Sequence, residues 1–260
     1  MTMSMIAISL QSGSNGNCIY VETGSVKLLF DAGISGVQAA ERLAAHGRDI
    51  REIDAVIISH DHGDHIRHAG VIHRKFGLPI YITPATLAAA SSRCTLGKLQ
   101  DVRHFRSSGN LRFGDVLVQA IPTPHDGADG AAFIVCSGPK RLGIMTDLGH
   151  VFKDLVHIVS SLDAVFLESN YDPDMLAAGP YPSYLKKRIK GPRGHLSNIE
   201  AAEILRRASE AKRLKWACLS HLSEQNNHPD VALGTHRRLG AENITLYTAD
   251  RHAVSDIFTI

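Results

Sequence analysis

Ser59-His60-Asp61-His62-Gly63-Asp64-His65 follows directly on the apolar run Ala55-Val56-Ile57-Ile58. Three imidazoles and the Asp64 carboxylate thus stand within six residues, at the end of a predicted buried strand. Alternate residues of an extended chain project to the same side, so His60 and His62 can converge on one ion. Gly63 lets the chain turn, which frees Asp64 and His65 to reach a second ion nearby. A His-rich surface turn without a ligand is the competing reading, and the full H-x-H-x-D-H order behind an apolar strand argues against it.

Working outward, other apolar runs also deliver residue types that bind metals. The run 115–122 leads into Thr123-Pro124-His125-Asp126, the run 142–145 into Thr146-Asp147, and the run 214–219 into Ser220-His221. Each has an ordinary structural explanation taken alone: His125 in a polar loop, Asp147 capping a helix, His221 as a satisfied half-buried imidazole. Their shared position at strand ends, where a sheet presents side chains to a cleft, favours a common site.

The chain has 260 residues, 44% of them hydrophobic, which suits a globular protein with a substantial core. No run reaches the ~18 apolar residues of a membrane span. Met1-Thr2-Met3-Ser4-Met5 lacks a basic segment feeding an apolar one, so a cytoplasmic protein is expected. Cys18, Cys94, Cys136 and Cys218 lack C-x-x-C spacing and lie in or beside apolar stretches, and so read as buried reduced thiols.

The net charge of +2 is unevenly spread. Residues 186–215 carry ten basic side chains against Glu200, Glu203 and Glu210, a local +7 that leaves −5 for the remainder. A solvated helix face with a Glu203–Arg207 pair accounts for part of this, and attraction for a polyanion is the alternative.

Strands are expected over 5–10, 18–23, 26–31, 55–58, 79–82, 111–113, 115–122, 131–136, 142–145, 164–167, 214–219 and 243–247. Helices are expected over 37–45, 66–76, from Pro84, and over 151–160, 181–190, 197–209 and 229–239. Two β-then-α halves without repeats or long linkers predict one domain over 1–260, an α/β four-layer αββα sandwich.

The order H-x-H-x-D-H, His125, Asp147, His221 resembles the metallo-β-lactamase superfamily. Further segments sharpen the likeness: Ser12-Gly13-Ser14-Asn15-Gly16-Asn17, Asp31-Ala32-Gly33, Leu167-Glu168-Ser169-Asn170, Gly194-His195-Leu196-Ser197-Asn198 and Ser220-His221-Leu222-Ser223-Glu224-Gln225-Asn226-Asn227. Together they resemble the YycJ/WalJ (VicX) group. The resemblance implies the metallo-β-lactamase fold, two metal ions and phosphodiester hydrolysis, with 5′-to-3′ exonuclease action on double-stranded DNA as the associated activity.

On this reading His60, His62 and His125 hold one ion, Asp64, His65 and His221 hold the other, and Asp147 bridges them. Without thiolates, the donor set suits zinc or manganese. Asp61 is placed to orient a histidine. Ser197-Asn198-Ile199-Glu200 reads as a capping box, whose helix start beside His195 would offer N–H groups to phosphate.

Glu168 and Gly194-His195 resemble the acidic residue and histidine that assist the metal site in β-CASP nucleases. Only about 26 residues separate them here, too few for the domain that covers the substrate in those proteins. Asp64, Asp147, Glu168 and His195 are therefore the expected catalytic residues, and Ser14, Asn17, Lys187, Arg193, Ser197 and Asn198 the expected substrate contacts at duplex DNA ends. His68 and His73 read as surface or interface residues, and the basic stretch, sparse in Phe and Trp, gives no evidence of an aromatic platform that stacks unpaired bases. The alternative function is a small-molecule hydrolase, such as a thioesterase, lactonase or cyclic-phosphate diesterase, on the same fold.

Overall fold

The apolar runs of the N-terminal half assemble into one mixed sheet. In the computed structural model, which describes residues 5–240 and 243–260, this sheet holds β1 (Ile6–Gln11), β2 (Cys18–Glu22), β3 (Lys27–Phe30), β4 (Ala55–Ile57), β5 (Ile80–Ile82), β6 (Val102–His104) and β14 (Phe258–Thr259). A second sheet holds β7 (Asn110–Phe113), β8 (Val116–Pro122), β9 (Ala131–Ser137), β10 (Lys140–Met145), β11 (Ala164–Glu168), β12 (Trp216–Ser220) and β13 (Thr245–Thr248). The strand orders are β14-β1-β2-β3-β4-β5-β6 and β13-β12-β11-β10-β9-β8-β7.

Three buried apolar clusters correspond to the three interfaces of a four-layer stack. Phe30, Phe133, Phe166 and Trp216 fill the space between the sheets. On the outer face of the first sheet, α1 (Gly36–Ala44), α2 (Gly63–Ile66), α3 (Ala69–Phe76) and α4 (Pro84–Arg93) bury Leu43, Ile66, Ile72 and Ala90. On the outer face of the second, α5 (Leu155–Ser160), α8 (Asn198–Ser209) and α9 (Pro229–Arg238) bury Leu155, Ile204, Leu205 and Ala232. The expected αββα sandwich is the observed architecture. The remaining helices, α6 (Pro173–Ala178) and α7 (Ser183–Lys190), share a small cluster of Tyr171, Leu176 and Ile189.

Strand direction places the site. From β3 to β6 and from β10 to β13 each neighbouring pair is parallel, while β8 and β10 both run antiparallel to β9 and so share a direction. The carboxyl ends of β8, β10, β11 and β12 therefore lie along one edge, where open α/β sheets present ligand sites. The N–H of Ala131, opening β9, donates to Ser59 O behind β4 (3.1 Å) and stitches the two sheets together at that edge.

Several expectations need adjustment. The helix expected over 66–76 is two, because Arg67 and His68 break it where the His68 N–H donates to Ala32 O. The helix expected from 151 begins at Leu155, behind the left-handed Asp154 (φ 69°), a conformation that a right-handed helix cannot absorb. The short elements β6, α6 and β14 were not anticipated. Cys18 and Cys218 are buried, whereas Cys94 and Cys136 are half-buried, and all four thiols are free. Glu203 pairs with Arg206 at 2.7 Å instead of with Arg207. No helix among the described residues is long and apolar enough to cross a membrane, and Met1–Ser4 lie outside the described residues.

Candidate metal centre

Three of the residues gathered at this edge leave their strands in a left-handed turn: Asp31 behind β3 (φ 66°), Asp147 behind β10 (φ 55°) and His221 behind β12 (φ 57°). Non-glycine residues adopt this region rarely and at a cost, which the surrounding packing must override. Gly33 serves the same local geometry, since a Cβ there would stand 1.7 Å from Asp64 O. That close approach lets the Asn17 N–H donate to Asp64 O (2.7 Å) and fixes the start of α2.

The structure brings all seven expected ligands together. His60, His62 and His125 form one group, Asp64, His65 and His221 a second, and Asp147 joins His60 and His65 in a third, the donor atoms in each lying within 4.8 Å of one another. Asp147 stands between the first two groups, with Oδ2 3.1 Å from His65 Nε2 and Oδ1 3.6 Å from His125 Nε2 and 3.3 Å from His221 Nδ1. His60 Nε2 is buried without a hydrogen-bond partner among the described residues, and Asp147 Oδ2 meets only His65 Nε2. Under-satisfied ligand atoms drawn together, in a set of imidazoles and carboxylates, fit divalent cations.

Protonation follows from the same packing. Burial, reinforced by neighbouring imidazoles, lowers the pKa of His60 and of His62, and burial lowers that of His125, which favours the neutral, ligating form of each. Burial disfavours the Asp147 charge, but His221 and His65 outweigh it and hold the carboxyl well below its ordinary range. Burial likewise opposes the imidazolium of His221, yet Asp147 and Asp64 push its pKa up to about 10. The cluster is thus a set of mutually compensating charges enclosed by protein.

Behind the ligands stands a layer of orienting groups. His65 Nδ1–H donates to Asp31 Oδ2 (2.7 Å), and Asp31 in turn accepts from the Ser59 N–H (2.7 Å) and hydroxyl (2.9 Å). His125 Nδ1–H donates to Gly194 O (2.8 Å), which directs Nε2 to the cluster. His195 Nδ1–H donates to Glu168 Oε1 (2.6 Å). Burial opposes the Glu168 charge, but His195 pulls its pKa down to about 2. Asp61 does not orient a histidine: it accepts from the Ala128 N–H (2.6 Å) and pairs with Arg93, clamping the loop that carries His125. His73 is buried and binds Leu78 O through Nδ1 (2.7 Å), so it is a core residue.

A cleft of about 380 Å³ opens over Asp64, Asp147, His195 and His221. Ser14 lines it, as do Tyr181, Leu185 and Arg188 of the α7 region; the sequence places Arg188 in the basic stretch but marks none of these three as a cleft residue. Lys187 and Arg193 are exposed but outside this lining. Asn17, Ser197 and Asn198 are buried. The Asn17 amide binds Gly13 on both sides, and its Nδ2 lies 3.0 Å from His65 Nε2 and 3.3 Å from Asp64 Oδ2, against the ligand atoms of both residues.

Ser197 forms the expected capping box with Glu200, but the Asn198 N–H is taken by Tyr171 O (2.8 Å) and its side chain by Ser169 and Asn227. These bonds leave the first turn of α8 little to offer a phosphate. Arg188 pairs with Asp126 (2.6 Å), whose other oxygen lies 3.2 Å from His62 Nε2. Its place in the basic run 186–215, on a predicted helix, was the available signal for Arg188.

The profile described as "Beta-lactamase superfamily domain" matches residues 27–221. The chain is 36% identical over 225 residues to "Exodeoxyribonuclease WalJ" of Streptococcus pneumoniae, covering 86% of this chain and 83% of that protein. It is 34% identical over 226 residues to "Exodeoxyribonuclease YycJ" of Bacillus anthracis, covering 86% and 84%. Among solved structures, the metallo-β-lactamase fold protein YhfI of Bacillus subtilis superposes with a TM-score of 0.75 at 17% identity, over 99% of this chain and 100% of that one.

Proposed function

This chain belongs to the metallo-β-lactamase superfamily, in the group of the WalJ and YycJ exodeoxyribonucleases, and from that premise we propose that it degrades duplex DNA from its ends, 5′ to 3′, with two divalent ions, zinc or manganese. The observation that carries this reading is the pair of ligand groups meeting at one carboxylate, Asp147. His60, His62 and His125 would hold one ion and Asp64, His65 and His221 the other, with Asp147 in reach of both. Bound there, the ions supply an activated water near neutral pH and offset charge on the phosphodiester.

The chain's own contribution is positioning and proton transfer. Glu168 fixes the His195 ring through Nδ1, which leaves Nε2 as the second nitrogen; with the ring as the imidazolium, Nε2–H would give its proton to the departing oxygen in the cleft and leave the neutral Nδ1–H ring behind. Ser14 and Arg188 line the cleft and would meet the phosphates nearest the site, while exposed Lys187 and Arg193 would follow the backbone beyond it. Asn17, Ser197 and Asn198 take the supporting role that their burial assigns. Free thiols suit a reducing compartment, and the proposal places the protein in the cytoplasm as one domain over 1–260.

The test uses protein loaded with zinc or manganese and duplex DNA labelled at the 5′ or the 3′ end, beside a thioester and a lactone. Digestion is expected to start at the 5′ end, stop with chelator and be abolished by His60→Ala in a folded chain. Turnover of the thioester or lactone with the duplex left intact would sink the proposal.

A further inference from the structure

The helix α7 carries its apolar side chains unevenly. Leu185 and Ile189 pack with Tyr171 and Leu176 and hold the helix against the body. Tyr184 takes no part in that cluster and is 75% exposed, the most exposed large apolar side chain among the described residues. On a helix, residues three and four apart share a face. Tyr184 therefore shares a helix face with the cations Lys187 and Arg188, and Arg188, paired with Asp126, lines the metal-centre cleft together with the neighbouring Leu185.

The reacting groups are recessed. His60, Asp147 and His221 are almost completely buried beneath a cleft of about 380 Å³. That volume is near the lower end of the ~300–1,000 Å³ range of small-ligand sites. It is room for about one nucleotide of one strand, and on that measure a stacked base pair with both its backbones would stay outside. A terminal nucleotide of a duplex must then leave its partner before its phosphate reaches the floor, at the cost of unpairing and unstacking.

On the basis of the nuclease reading above, we propose that Tyr184 is a positioning residue that stacks on the last base pair left outside the cleft and holds the DNA end open. Lys187 and Arg188 keep the adjoining backbone against α7. An exposed ring offers a flat surface to any base, independent of sequence, and flanking cations add attraction for the phosphates.

The experiment compares digestion of a blunt, fully paired duplex with that of a duplex whose terminal pairs are mismatched, which is already open. The readout is the ratio of the two rates in the wild-type holoenzyme, in Tyr184→Ala and in Tyr184→Phe. Tyr184→Ala is expected to lower the paired-to-mismatched ratio about tenfold, as loss of base stacking implies. Tyr184→Phe, which keeps the ring, is expected to restore it. A ratio unchanged in Tyr184→Ala, with both substrates digested, overturns the role of Tyr184 and leaves the nuclease reading intact. Failure of the wild type to digest either duplex overturns the nuclease reading and the role of Tyr184 with it.

Discussion

Asp31 shows how a residue outside the cleft governs the chemistry within it. Its carboxylate accepts from His65 Nδ1–H and from both Ser59 donors, which holds the His65 ring with Nε2 toward Asp64 and Asp147. Asparagine tolerates the left-handed backbone at this position but lacks the charge. Asp31→Asn should therefore fold and bind metal ~10–100-fold more weakly, as measured by competition with a chelator; unchanged affinity would remove the orienting role.

His236 makes a second prediction at this scale. Burial depresses its pKa to about 4 from the ordinary 6.5. Between these values the unfolded chain takes up a proton that the folded chain refuses. Stability is then full above pH ~6.5 and falls toward pH ~4, by up to ~3 kcal/mol. The stability gap between wild type and His236→Gln, from denaturant unfolding at pH 7 and pH 4.5, should narrow on acidification. Parallel pH curves would refute it.

At the scale of elements, α7 joins the metal site to the basic stretch. Its last turn carries Lys187, Arg188 and Lys190, whose charge also complements the helix C-terminus. Arg188 is tied to Asp126, while Lys187 has no acidic partner among the ion pairs of the described residues. A backbone phosphate held by Lys187 would release counterions, contributing ~0.9 to the slope of log K against log salt. Lys187→Ala, measured by duplex binding over a salt series, should weaken binding and flatten the slope by about that amount, and Arg193→Ala should do likewise. Equal slopes would place the DNA elsewhere.

Across the whole molecule, the site is a joint between two sheets. The first sheet contributes His60, His62, Asp64 and His65 around the end of β4, and the second contributes His125, Asp147 and His221 behind β8, β10 and β12. Ions held by both halves would cross-link the sandwich. At a free-metal concentration ~1,000 times the dissociation constant, binding to the folded state alone adds ~4 kcal/mol. For a chain of this size that is a rise of roughly 10 °C in unfolding midpoint. Calorimetry with metal and with chelator should show this loss and its reversal; identical midpoints would mean that no ion bridges the sheets.

Much of this was legible from local chemistry. Apolar runs of strand length followed by His or Asp located the seven ligand-type residues, because a strand buried on both faces must be apolar and its end is the first place where a polar side chain can meet a cleft. The Ser197–Glu200 cap was equally legible, since it closes within one turn. What the sequence left open was whatever depends on residues distant along the chain. Short elements such as β6 and β14 carry too few residues for a pattern and exist because a neighbouring strand offers its edge. Asp31 reaches His65 across 34 positions, and Asn198 is closed off by Asn227 across 29. Whether a polar side chain lines the cleft or braces it from behind is decided by which partner the folded chain brings within hydrogen-bonding distance, and only the tertiary structure sets that.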